Sequence, residues 1–440
     1  MFHVPLATMT TSRAAATRLL LLGLACGAHL SPTTVDAFST LGQVVHGASK
    51  IAPVLLSSAD DTNEQQQPQQ QEEAPNAVRA PLKYLGPYPC LSLRFPNLAT
   101  SAQRARGANV TGISLDFVLD TAANTNTIQG AVAQELALEK VGEALPGFGA
   151  AGSISGGDTY LLGDCRLDYG VVMEEESSGD GGGGGEDDDD EQDFTFMQGL
   201  TASALPVASP AAAGLLGLYF FQCFQGGVMF EWGSNSAAAS TAIPSITFFA
   251  ERERMGDALD GLARAPIQPL PVSALPSINM IINGKTIPAL LDTGSPITVV
   301  NAAAAKMAGV TTTMEDDGGG SNEKGKGNPF NPFAKLTKNF EAAQAAAQAA
   351  ARGDVLLIAG ADGKRVELVK SKDLVECGIV GDGDGVAVNI GKHNIYVGDL
   401  PGLAALGGLG GDGAPPAAVL GMDILRTRTR MVYRKDEVYL

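Results

Sequence analysis

Short apolar runs bounded by turn residues recur in the same order in the two halves of this chain. In the second half, Ile278-Asn279-Met280-Ile281-Ile282 and Thr286 to Leu291 flank Asn283-Gly284. Asn-Gly supplies the positive-φ residues of a tight turn, so the pattern predicts a β-hairpin. In the first half, Cys90 to Phe95 and Ile113 to Leu119 make the corresponding pair around a longer loop. Each pair ends in Asp-Thr, at Asp120-Thr121 and Asp292-Thr293. Helical stretches are expected next, at Gly130 to Val141 and at Asn301 to Met307. Late in each half comes an apolar–glycine motif, Gly214-Leu215-Leu216-Gly217-Leu218 and Ala418-Val419-Leu420-Gly421-Met422. A short predicted strand trails each, Val228 to Trp232 and Met431 to Tyr433.

This shared order predicts a diverged duplication, folded as two mostly β lobes. The first lobe is expected over 82–253 and the second over 273–440, joined by a linker at 254–272 that holds Pro266, Pro269 and Pro271. The Asp-Thr to Leu-Gly spacing is longer in the second half because of low-complexity sequence over 313–352. Thr313 to Gly327 is rich in glycine and lysine, whereas the alanine-rich run Phe340 to Arg352 is expected to be helical.

The two aspartates are the candidate chemistry. A carboxylate at the end of an apolar strand, fixed by the turn after it, suits acid–base work better than packing. Asp-Thr also caps helices, and for Asp120 alone, with a helical stretch following, capping is the competing reading. At Asp292 the upstream hairpin, Ser295 and the later Leu420-Gly421 support one another. Two rival motifs fail: Gly284-Lys285-Thr286 lacks the first glycine of a phosphate loop, with Asn279 in its place. Asp382-Gly383-Asp384-Gly385 lacks the remaining ligands of a calcium loop and reads as a tight turn.

Asp292-Thr293-Gly294-Ser295, the strand before it, Val397-Gly398-Asp399-Leu400 and Val419-Leu420-Gly421-Met422-Asp423-Ile424-Leu425 together resemble the aspartic proteases, most closely their retropepsin-like branch. The resemblance lies in the second half and reaches the first through the repeat. It implies a bilobal acid-protease-like fold built from two diverged retropepsin-like repeats, with low-complexity inserts. It further implies that Asp120 and Asp292 form a catalytic pair that shares a proton and activates water against a peptide bond, without a cofactor or metal. Thr121 and Thr293 would cross-link the two turns, with Gly294 and Ser295 supporting the second. A hairpin over the site is expected at Gly152 to Leu162, with Tyr160 as its aromatic, and near Gly360 to Val366 in the second half. For Tyr160 an ordinary sheet aromatic is the competing reading.

One residue departs from the pattern: Ala122 stands where the family has glycine. A methyl there would crowd the inner carboxylate oxygens. Two functions are therefore carried forward: an aspartic-type endopeptidase acting on polypeptides, and an inactive relative binding peptides or protein partners in its cleft. A single-chain monomer is expected, the alternative being a homodimer of second lobes.

Charge and composition narrow the rest. The net charge is −18, yet 174–193 alone holds 11 acidic residues and no basic ones, and without it the balance is −7. The acidity belongs to a solvated insert, and with no basic patch nucleic acid is not an expected partner. Four histidines and five scattered cysteines give no zinc spacing. Cys26 falls in the leader, and the other four could pair or remain thiols. Arg13 and Arg18 ahead of Leu19 to Ala28 read as a signal peptide over 1–37, too short to span a bilayer. Acid-poor, hydroxyl-bearing 38–58 resembles the second part of a bipartite algal plastid presequence, and a Gln/Pro-rich tether continues to 81. The expected destination is the plastid or a secreted or vacuolar compartment. A flexible linker is the alternative reading of 38–58.

Overall fold

The computed structural model describes residues 77–107, 112–144, 147–149, 152–154, 156–168, 195–205, 211–233, 243–251, 256, 258–270, 272–313, 352–359, 365–382, 387–400 and 413–440. All of them belong to one compact unit, Asp61–Leu440. The leader, the presequence-like stretch, the acidic insert 174–193 and most of 313–352, including the expected alanine-rich helix, lie outside the described residues.

Each half folds around the same interlocked set of strands. In the first, Ile113–Leu119 runs parallel to Gly214–Leu216, which is antiparallel to Thr127–Ile128. In the second, Lys285–Leu291 runs parallel to Ala418–Leu420, which is antiparallel to Val299–Val300. The registers coincide: Leu119 faces Leu216, and Leu291 faces Leu420. After Leu119 and Leu291 come the aspartates, whose amides donate across to the parallel strand, Asp120 to the Leu216 carbonyl at 3.0 Å and Asp292 to the Leu420 carbonyl at 3.1 Å. The repeat legible in the sequence is thus a repeat of hydrogen bonds.

Local chemistry explains the elements. Asn283 and Gly284 have φ of 46° and 75°, so Pro276–Ile282 and Lys285–Leu291 close as the expected hairpin. Helix Ala302–Ala308 is capped by the Asn301 side chain, which accepts from the Ala304 amide at 2.8 Å, and ends at Gly309 with φ 62°. The first-half helix is shorter than expected, Gly130–Glu135 rather than Gly130 to Val141. Ala137 turns left-handed at φ 51°, and Glu139–Glu143 becomes a strand paired with Asp158–Leu167. Sheet pairing outside the segment overrides its helical composition.

The two lobe sheets meet on a third. Its strand order is Ala77–Pro81, Ser245–Phe249, Gly227–Glu231, Arg430–Tyr433, Glu437–Tyr439, Arg264–Pro266. Three strands of the first half therefore lie beside two of the second, and the expected linker supplies the last. Pro266 ends an edge strand, where the missing amide does no harm. Ala77–Pro81 precedes the expected start of the first lobe. One apolar core runs through both halves, with Phe221 of the first packed on Tyr433 of the second at 5.7 Å between ring centroids. Cys90, Cys165, Cys223 and Cys377 are free thiols. Burial pushes Cys90, Cys165 and Cys377 up to about 12. Among the described residues no helix is long and apolar enough to cross a membrane. The fold is mostly β and bilobal, in the acid-protease-like arrangement expected.

The late glycines are required for space rather than conformation. Gly421 has φ −101°, open to any residue, but a Cβ on it would lie 2.5 Å from the carbonyl carbon of Ile297. On Gly217 a Cβ would lie 2.5 Å from the carbonyl oxygen of Ala123. Both neighbours are backbone of the Asp-Thr turns. Gly421→Ala is expected to push the second turn outward and lower stability by about 2 kcal/mol, read from denaturant midpoints.

Candidate active site

The two Asp-Thr turns face each other where the lobes join. Thr121 and Thr293 are both 0% exposed. The Thr121 amide donates to Thr293 Oγ1, and the Thr293 amide to Thr121 Oγ1, each at 3.1 Å. Each hydroxyl then donates across the seam to the strand before the opposite aspartate: Thr121 Oγ1 to the Leu291 carbonyl at 2.7 Å, Thr293 Oγ1 to the Leu119 carbonyl at 2.8 Å. Every polar group of the crossing is satisfied, so the turns are held in one geometry despite complete burial.

That crossing brings Asp120 and Asp292 within hydrogen-bonding reach of each other. Burial raises the Asp120 carboxyl to about 6, opposed by the amides of Ala122 and Ala123 and by the hydrogen bond with Asp292. The Ala122 amide donates to Asp120 Oδ1 at 2.8 Å. Burial and then the charge of Asp120 hold Asp292 well above the usual carboxylate range, although the amides of Gly294 and Ser295 work against the shift. Two like charges this close cannot both form, so the pair titrates as a unit that retains one proton into weakly acidic solution. Asp292 Oδ1 is buried and has no protein hydrogen-bond partner among the described residues. An acceptor oxygen in that state is suited to a polar reactant.

Gly294 is the tightest point of the site. A Cβ on it would lie 2.6 Å from Asp120 Oδ2, so the second turn packs its bare backbone on the first carboxylate. Neither Gly294 nor Ala122 is among the left-handed residues. The Asp-Thr turn therefore permits alanine conformationally, and the issue at Ala122 is space beside Asp292. Ser295 supports its turn through the backbone: its hydroxyl donates to the Ile297 carbonyl at 2.8 Å, and its amide to the Asp292 carbonyl at 3.3 Å. Around the Leu-Gly motifs the repeat persists in different chemistry. The Gly217 amide donates to Asn126 Oδ1, and the Gly421 amide to Thr298 Oγ1, both at 3.1 Å. Thr298 donates onward to Asp423 at 2.7 Å.

Tyr160 is half-buried in strand Asp158–Leu167, paired with Lys140 on one side and Ala202 on the other. Its hydroxyl donates to Asp158 at 3.4 Å. The short pair Gly147–Gly149 and Gly152–Ile154 continues this hairpin. In the second half, Val355–Ala359 and Arg365–Lys370 form the corresponding hairpin. Most of the expected Gly360 to Val366 lies outside the described residues.

One residue near the pair escaped the sequence reading. Tyr88 begins strand Tyr88–Phe95, whose register sets Cys90 opposite Val118. Carrying that register two residues on sets Tyr88 opposite Asp120.

No protein-family model matches the chain, and no curated protein does. Among solved structures, it is similar to an aspartic proteinase from Irpex lacteus at 13% identity, with 82% of this chain and 96% of that one covered and a TM-score of 0.38. Basic 7S globulin from soybean is similar at 11% identity, covering 83% and 95%, with a TM-score of 0.35. Conglutin gamma, a basic 7S globulin from lupine seeds, is similar at 11% identity over the same shares, with a TM-score of 0.38. At such identities and scores, the chemistry of the site has to be argued from its own geometry.

Proposed function

We propose that this chain is an aspartic-type endopeptidase that cleaves polypeptides with Asp120 and Asp292. The observation that carries the reading is the pair itself: two carboxyls side by side, both raised by burial, on turns locked by crossed threonines. Such a pair is poor packing and costly in stability, whereas general acid–base catalysis needs it. One carboxyl of the pair holds the shared proton and gives it to the scissile carbonyl oxygen. The other takes a proton from a water molecule, whose oxygen attacks the carbonyl carbon. As the tetrahedral diol collapses, the carboxyl that took water's proton passes it to the leaving nitrogen and the other recovers a proton from a diol hydroxyl, so the pair returns to its singly protonated form. The working unit is the single chain, because the second lobe's joining strand, Arg430–Tyr433, is already paired with Gly227–Glu231.

The test is cleavage of an unfolded protein by the full chain from acid to neutral pH, with Asp292→Asn and Asp120→Asn beside the parent. The expected result is cleavage by the parent and loss of at least a thousandfold in both variants, as for groups that act as a unit. A folded parent without activity at any pH overturns the reading.

Ala122 favours the second reading, a peptide-binding relative. It carries a methyl where the second turn has Gly294, a position at which a Cβ would lie 2.6 Å from Asp120 Oδ2. Ala122→Gly separates the two. For an enzyme hindered by that methyl, kcat is expected to rise about tenfold with little change in KM, about 1.4 kcal/mol of transition-state stabilisation. Unchanged kinetics would show that the methyl is no obstacle.

A further inference from the structure

Tyr88 is a polar aromatic that nothing in the proposed mechanism uses. It lies at the end of a hairpin, Lys83–Leu85 with Tyr88–Phe95, whose tip residues Gly86 and Pro87 are exposed. Tyr88 is half-buried and packs, beside Leu85 and Leu215, against a small apolar cluster of Cys90, Val118 and Ala212. Register places it across from Asp120, and its phenol is raised by burial and then by the charges of Asp292 and Asp120. The charges of both carboxyls thus act on the phenol, which stays neutral throughout the range in which the pair titrates. The hydrogen bonds described around the Asp120 carboxyl come from Ala122, Ala123 and Asp292 and not from this hydroxyl. The phenol thus flanks the pair without being consumed by it.

The equivalent position of the second lobe holds no such group. Its hairpin register, Ser277 opposite Leu290, carries on to set Leu275 opposite Asp292. Leu275 is 2% exposed and has no polar end. The site is asymmetric here, with a partly exposed aromatic on the Asp120 side and a buried aliphatic on the Asp292 side.

We propose that Tyr88 is a specificity-determining residue, walling the cleft beside Asp120 and taking an apolar side chain of the polypeptide against its ring. An apolar partner follows from the wall's makeup: the ring stands on aliphatic neighbours and gains most from a partner that removes more apolar surface from water. An acidic side chain would meet the negative charge of the pair. This rests on the endopeptidase reading, and its test separates the two.

The full chain is labelled with 3-fluorotyrosine, and the Tyr88 signal is assigned in the fluorine spectrum by Tyr88→Phe. The signal is expected to shift between about pH 4 and 8 as the pair titrates, and to lose that step in Asp120→Asn/Asp292→Asn. A Tyr88 signal with no such step overturns the placement, whether or not the chain cleaves anything. Specificity is read by profiling cleavage of a mixed peptide library. Tyr88→Phe is expected to keep the parent's apolar preference on one side of the scissile bond. Tyr88→Ala is expected to lose about tenfold in kcat/KM for those peptides, mainly through KM. An unchanged profile in Tyr88→Ala overturns the proposal. Should the parent prove inactive, an apolar peptide added to the labelled chain takes over as the test: a shift of the Tyr88 signal upholds the contact, and no shift overturns it.

Discussion

Asp292→Asn will make the protein more stable at neutral pH, by on the order of 3 kcal/mol, while removing its proposed activity. The sign follows from the proton count. Both carboxyls are raised in the folded protein, Asp120 to about 6 and Asp292 well above the usual carboxylate range, from values near 4 in an unfolded chain. Between those limits the folded state holds more protons than the unfolded one, so stability falls as pH rises. The parent keeps its full contribution below about pH 4 and loses it as the pair is forced to ionise. An asparagine at 292 takes away the like charge and the cost of burying it. Melting curves of parent and variant should coincide near pH 4 and separate at pH 7, with the variant higher. A parent whose stability is level over that range would show that the carboxyls are ordinary ones. A gain in stability accompanied by lost catalysis is also the mark of a site kept for its chemistry.

The largest loss is expected from Thr293→Val, an isosteric change at a residue that is 0% exposed. The hydroxyl accepts from the Thr121 amide at 3.1 Å and donates to the Leu119 carbonyl at 2.8 Å. Valine fills the same space but leaves a buried amide and a buried carbonyl without partners, together about 3–5 kcal/mol. Thr121→Val, in the equivalent position, should cost a similar amount. The double variant should cost less than the sum, because each single change already breaks the crossing. Denaturant unfolding of the four proteins gives this cycle directly. Strict additivity would mean that the two turns are held independently.

The parts of the fold that were legible in the sequence are those with local causes. Asn283-Gly284 carries its own turn, and Asn301 and Gly309 cap their helix whatever surrounds them. The late glycines were visible as a motif, but their reason was not: Gly421 is small because Ile297 passes beneath it, a contact between residues more than a hundred positions apart. The start of strand Glu139–Glu143, up to Val141, was misread as helix because its partner strand lies beyond a loop. The segment expected as a linker adds a strand to the bridging sheet because the C-terminal strand Glu437–Tyr439 offers it an open edge. At the site, the sequence pointed to both aspartates and to the threonines beside them. Tyr88 was missed because its relevance depends on strand register, which hydrophobic pattern alone specifies weakly at a strand's end.

Among the described residues, strands of the two halves pair in one ladder, Val228–Glu231 against Arg430–Tyr433, four residues to each side. Each of these strands follows its own lobe's Leu-Gly helix, Leu218–Phe221 or Met422–Leu425, so the two edges that meet are copies of one edge. The threonine crossing repeats the relation, each turn giving what it receives. Such a contact is isologous in form, the kind that ordinarily joins two identical subunits. Here it has been taken inside one polypeptide, and the tether relieves the copies of having to stay alike. That freedom is visible wherever the halves differ: Ala122 against Gly294, Asn126 against Thr298, Tyr88 against Leu275. In a symmetric pair of subunits each such change would be imposed on both sides of the cleft at once; in this chain it falls on one side only.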